Sequence, residues 1–285
     1  MAKIIACIDG SSYVESVTEL STWAHKQMNL PISLLHILPL NSEKKEKPNL
    51  TGQLGFSAKS NLLEELTKRD ETRGKLEIEK GERVLDDAKE EFSKKGITQL
   101  KILHRRGSLV ENIKELETQA ELIIMGKRGE NHPVDSDDLG SNLECVARAI
   151  DKPLLLATPK SKSLNKFLIA YDGSSSANKA VDYVATHSLL KGLECHLLKI
   201  AEPLPEEQKL FAKAENKLKS SDIRVHSLLK QGNSVNGMVT DYIKNNDIDL
   251  LLMGAYGHSK IRNLFFGSMT TLLLRESNIP IMLFR

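Results

Sequence analysis

The sequence repeats itself, and this limits the folds open to it more than any other feature. "KIIACIDGSS", 3 to 12, lines up with "KFLIAYDGSS", 166 to 175, and "ISLLHI", 32 to 37, with "CHLLKI", 195 to 200, both at an offset of 163 residues. Further on, "ELIIMGKRG", 121 to 129, matches "DLLLMGAYG", 249 to 257, at an offset of 128. "LGSN", 139 to 142, then matches "FGSM", 266 to 269, and "KPLLLA", 152 to 157, matches "IPIMLF", 279 to 284, both at 127. The order never changes, so the chain is a tandem duplication. The falling offset gives the first half some 35 extra residues between its second and third strands, most of them in 41 to 80. "TPKSKSL", 158 to 164, has linker composition. The expected division is 1–157, a linker at 158–164, and 165–285, with each half long enough to bury a core.

Within each half, short apolar runs alternate with amphipathic stretches. Lys3–Ile8, Ile32–Leu38, Leu100–His104, Leu122–Met125 and Leu154–Ala157 read as strands; Tyr13–Met28, Val84–Lys94 and Leu109–Thr118 read as helices. The second half gives strands at 167–171, 195–200, 223–229, 248–253 and 280–284. Such alternation predicts an α/β fold, and near-continuous apolar strands predict a parallel sheet covered on both faces. The expected architecture is therefore two tandem Rossmann-like domains, each a five-stranded parallel sheet flanked by helices. The last strand of each half leaves an open edge. Pairing 153–157 with 280–284 inside one chain closes both edges as an internal pseudo-dimer, and leaves room for two chains to associate as a homodimer.

The insertion begins with "NSEKKEKPNLTGQLGF", 41 to 56, which reads as a mobile loop. A long charged helical stretch follows, roughly 59 to 95, broken by Gly74 and Gly81. Its plain reading is a solvated helix face; its functional reading is a partner-binding arm. The 40 basic residues nearly balance 38 acidic ones, for a formal net charge of +2, so no basic field for nucleic acid exists. No apolar run has the length of a membrane span, and the first residues enter a strand without signal-peptide anatomy. Cys7, Cys145 and Cys195 are odd in number and widely spaced, and are expected as small core side chains. Together these features predict a cytoplasmic protein.

The chemistry concentrates after the fourth strand of the second half, in "LLMGAYGHSKIRNLFFGSMTTLLLRE", 251 to 276. Ligands of open α/β sheets bind beyond the carboxyl ends of strands, where strand order reverses. Gly254 and Gly257 would admit a ligand close to the main chain. Gly267-Ser268 then opens a helix, with Ser268 as a candidate N-cap. The free N–H groups of that first turn and the positive dipole end suit phosphate. Thr270 adds a hydroxyl there, Lys260 and Arg262 add positive charge, and His258 lies in the loop, where it has no required role. Strand-to-glycine turns are common in α/β proteins that bind nothing, so the weight rests on the full spacing, G-x2-G-x9-G-S.

That spacing, with an Asp after the first strand in "AYDGS", 170 to 174, resembles the ATP-binding signature of the universal stress proteins. The resemblance covers both halves and implies the adenine nucleotide alpha hydrolase-like form of the Rossmann architecture. It implies an adenine nucleotide partner, ATP, with Mg2+ held through the phosphates rather than by the protein. Carried over by position, it places Asp172 and the main chain near Ile200 at the adenosine. Gly254, Gly257, Gly267, Ser268 and Thr270 then fall at the ribose and phosphates, and their neighbours His258 and Met269 complete the candidate site. It also implies a regulatory role in stress response, through a protein partner the sequence does not name.

The first half departs from the signature. Asp9, Gly126, Gly129, Gly140 and Ser141 are present, but ten residues separate Gly129 from Gly140, and Leu143 stands where the second half has Thr270. The intervening "ENHPVDSDDL", 130 to 139, brings in Glu130, Asp135, Asp137 and Asp138. Carboxylates beside a triphosphate repel it by about 1 kcal/mol per pair at 4 Å in water. The second half is thus expected to hold the nucleotide, and the first half to hold it weakly or not at all. Asp9 and Asp172 read as helix-capping residues rather than phospho-acceptors. The chain has no G-x-S-x-G, Walker, G-x-G-x-x-G or H-E-x-x-H motif, and no motif of an adenylate-forming enzyme. With no catalytic base apparent, slow ATP hydrolysis is the most to expect. The competing reading is a nucleotide-independent interaction protein acting through the insertion.

Overall fold

The computed structural model describes residues 2–38, 56–130, 141–160, 162–221, 223–232, 234–255 and 268–285. The first half runs β1 (Lys3–Ile8), α1 (Val14–Met28), β2 (Ile32–Leu38), α2 (Phe56–Lys94), β3 (Leu100–Arg106), α3 (Leu109–Leu116), β4 (Ala120–Gly126), α4 (Ser141–Ala149) and β5 (Leu154–Ala157). The second repeats the order as β6 (Lys166–Ala170), α5 (Ser175–Thr186), β7 (Glu194–Ile200), α6 (Pro205–Lys219), β8 (Val225–Lys230), α7 (Val235–Asn245), β9 (Leu250–Gly254), α8 (Ser268–Glu276) and β10 (Ile281–Phe284).

All ten strands form one sheet, in the order β3-β2-β1-β4-β5-β10-β9-β6-β7-β8. Every neighbouring pair is parallel except β5 and β10, which run antiparallel with Leu155 opposite Met282. Leu155 and Met282 are matched positions of the duplication, so the pseudo-two-fold axis passes between them. Central strands are buried on both faces, as in β1, whereas outermost β8 alternates half-buried and exposed residues. One core packs α1, α2, α5 and α6 on one face; a second packs α3, α4, α7 and α8 on the other. Each core runs unbroken through both halves. Helix α1 reaches it with Val17, Leu20 and Ala24, one apolar stripe at helical spacing, and ends at Asn29 with φ 53°.

Two expectations change. Gly74 and Gly81 do not break α2, which runs 39 residues from Phe56 to Lys94. Cys145 is exposed, while Cys7 and Cys195 are buried. Buried Leu143, Val146 and Ala147 occupy the inner side of α4, and 100° per residue turns position 145 away. The loop expected at 41–56 lies outside the described residues except for Phe56, which already belongs to α2. Among the described residues no helix is long and apolar enough to cross a membrane.

Candidate functional site

Each half has one switch point, where the chain leaves the sheet in opposite directions: between β1 and β4, and between β6 and β9. In the second half, β6 runs into Tyr171 and Asp172. The Tyr171 amide donates to Leu198 O at 2.9 Å, holding this exit beside β7. Asp172 Oδ1 accepts the Ser174 amide at 2.8 Å, and Ser174 Oγ accepts the Ala177 amide at 3.2 Å. The "DGSS" segment thus caps α5, with Gly173 at φ +86°. Ile200 ends β7 and is half-buried.

Gly254 ends β9 for a reason the sequence left open. A Cβ there would overlap Ser176 Oγ and stand 3.3 Å from the Ala177 amide nitrogen. The first turn of α5 comes that close, so the missing side chain serves packing. Helix α8 starts at Ser268. Thr270 is 3% exposed, and its Oγ1 donates to Gly254 O at 3.5 Å. That contact puts the front of α8 at the carboxyl end of β9, one strand from Asp172, with its hydroxyl turned toward the strand rather than outward. Met269 is partly buried against the second core. Gly257, His258 and Gly267 lie outside the described residues, as does the side chain of Ser268.

Sequence reasoning passed over Lys199. It is 2% exposed, and its Nζ donates to Asp172 O at 3.1 Å and pairs with Glu207 at 2.7 Å. The ammonium also lies 5.2 Å from the Tyr171 ring centre and 3.3 Å from where a Cβ on Gly173 would be. A buried cation therefore stands behind the Asp172 turn. The signal was available: one lysine inside the apolar run "CHLLKI".

The first half builds the same turn and then fills it. Asp9 Oδ1 accepts the Ser11 amide and Oδ2 the Glu130 amide, both at 3.1 Å. The Glu130 carboxylate lies 3.0 to 3.1 Å from the Cβ position of Gly10 and pairs with Lys80, which reaches in from α2. Tyr13, the counterpart of Ser176, lays its Cβ and Cγ 2.8 Å from a Cβ on Gly126. Against Gly10 and Gly126 the first half thus sets a carboxylate and an aromatic ring, where the matching Gly173 and Gly254 meet the Lys199 ammonium and the Ser176 hydroxyl. Lys127, next in the loop, is 3% exposed and donates to Ser277 O at 2.7 Å, just beyond α8. Burial pushes its pKa down to about 8.

With the geometry in place, comparison with known proteins gives a consistent result. The sequence model described as the universal stress protein family matches residues 1–158 and again 164–285. Universal stress protein Slr1230 of Synechocystis sp. is 33% identical over 288 residues, covering 100% of both chains. A universal stress protein structure from Archaeoglobus fulgidus superposes with a TM-score of 0.72 at 19% identity, covering 99% of this chain and 98% of that one. A second structure, of a putative universal stress protein from Pseudomonas aeruginosa, gives 0.58 at 12% identity, covering 100% and 93%. At these identities the two structures speak for the fold alone.

Proposed function

The chain belongs to the universal stress protein family, and from that membership we propose that it is a regulatory ATP-binding protein whose second half holds the nucleotide. The observation that carries this reading is the placement of α8. Its N-terminus sits at the carboxyl end of β9, joined through Thr270 to Gly254 and one strand from Asp172. Unpaired amides and a positive dipole end, at a switch point, are what a triphosphate requires. The glycine spacing through 254, 257 and 267 agrees. The phosphates would carry Mg2+. In the first half, the Glu130 carboxylate, paired with Lys80, lies against Gly10 beside Asp9, and an added carboxylate opposes a triphosphate.

Calorimetry with ATP and Mg2+ tests this. Gly257→Val should abolish binding, while Gly129→Val should leave it within about two-fold. Loss of binding in Gly129→Val alone would reverse the assignment. One feature favours the second reading, an interaction protein: between 67 and 80 most of the described residues of α2 are exposed, Leu76 among them at 60%. That reading predicts partner capture from a lysate that Gly257→Val does not change.

A further inference from the structure

The buried lysine of β7 ties together three segments that border the second-half crevice. Lys199 Nζ donates to Asp172 O at 3.1 Å, just past β6, and pairs with the Glu207 carboxylate at 2.7 Å, in the first turn of α6. Lys199 also stands directly before Ile200, the last residue of β7. Residues 201–204 join that strand end to α6 and are held on both sides. The Ala201 amide donates to Lys230 O at 3.1 Å, and Glu207 is fastened to Lys199. Gly173 and the Tyr171 ring close around the ammonium.

Stability of the fold does not by itself account for this lysine. An ammonium is costly to take out of water, and apolar side chains in place of a buried ion pair often pack as well or better. What the paired ammonium supplies is direction, because its hydrogen bonds are angle-dependent. The first half is built differently. His36 stands at the matching position, its ring centre 5.2 Å from that of His104 on β3, and α2 covers both rings at Gly81. The Nδ1 of His36 has no hydrogen-bond partner among the described residues. At this position, then, the half with the intact glycine spacing carries a cation paired to a carboxylate, and the other half does not.

We propose that Lys199 is a positioning residue for the nucleoside end of the ligand, holding the Asp172 turn and the Ile200 main chain at the spacing a base and ribose need. The proposal rests on the nucleotide-binding reading of the second half. At 2% exposure the ammonium acts through Asp172 and Ile200 rather than by touching the ligand. The phosphates would sit at the front of α8, at the end of β9. Strands β9 and β7 flank β6 on opposite sides, so Lys199 serves the base and not the phosphates.

The test compares ATP with CTP, which share the triphosphate and differ in the base. Calorimetry of the full chain with Mg2+ gives the ratio of the two affinities, and the parent should prefer ATP. Lys199→Met should weaken ATP about 10-fold and CTP less than about two-fold, the loss of one hydrogen bond to a charged group felt at the base alone. The Glu207 side chain is 34% exposed, so water takes up its charge in that variant. Glu207→Gln keeps the lysine and should lower the ratio about three-fold; it decides the matter if Lys199→Met folds poorly. Lys127→Met removes another buried ammonium and should leave the ratio unchanged. A ratio unchanged in both Lys199→Met and Glu207→Gln, or ATP and CTP weakened alike, would overturn the proposal and leave nucleotide binding in place. So would an equal shift in Lys127→Met, which would mark general loosening. A parent chain that binds ATP and CTP equally has no base site for Lys199 to hold, and overturns it too. A parent that binds neither nucleotide removes the nucleotide reading, and this inference with it.

Discussion

At the scale of single residues, the glycines divide by what stands next to them. A methyl at Gly254 meets the first turn of α5. Gly254→Ala should therefore cost about 1–3 kcal/mol in urea unfolding, as overpacked sites do, with partial recovery when Ser176→Ala removes the nearest oxygen. Lys127 makes a prediction of a different kind. In the folded chain it titrates at about 8, against an ordinary 10.5. Between those values the unfolded chain holds the extra proton, so rising pH favours the folded state. Below pH 8 the penalty is present in full. Relative to Lys127→Met, the parent chain should thus gain roughly 3 kcal/mol of stability from pH 8 to 10.5, measured as the difference between their denaturant curves. The glycine spacing was legible in sequence, but the packing reason for Gly254 was not. It depends on Ser176, 78 residues away, and no local pattern carries that contact. Lys199 and the His36–His104 pair were missed for the same reason: each is a polar side chain within a strand whose role shows only when the register places its partner.

Among the elements, α2 departs most from its reading in sequence. Glycine costs a helix about 1 kcal/mol relative to alanine, which made Gly74 and Gly81 look like breaks. Tertiary packing overrides that cost. Leu85, Ala88 and Phe92 anchor the C-terminal part in the first core, and the helix extends about 58 Å in all, at 1.5 Å per residue. The two glycines should then respond oppositely to alanine. Nothing lies within 4 Å of a Cβ on Gly74, so Gly74→Ala should stabilise the chain by roughly 0.5–1 kcal/mol. Gly81→Ala would press on both imidazoles and should destabilise it. Thermal melts of the two variants side by side decide the point. The strands were read more accurately than the helices because burial on both faces writes an unbroken apolar run. The edge strands are less regular: β8 begins two residues later than its composition implied, since only one of its faces is covered.

For the whole molecule, the duplication already contained the architecture. Two matched strands, each with an open edge, meet as β5 and β10 and turn two five-stranded sheets into one of ten. Residues 165–285 alone would lose β5 and leave β10 bare. That fragment should pair through β10 with a second copy and elute as a dimer, and Met282→Pro should make it monomeric. The symmetry of the fold contrasts with the asymmetry of its two crevices. One ends at Gly254 and the front of α8; the other has Glu130 and Lys80 inside it. The most direct test of this account is native mass spectrometry of the full chain with ATP and Mg2+. The account predicts a single bound nucleotide per chain at saturation. Two nucleotides per chain, or none, would contradict it.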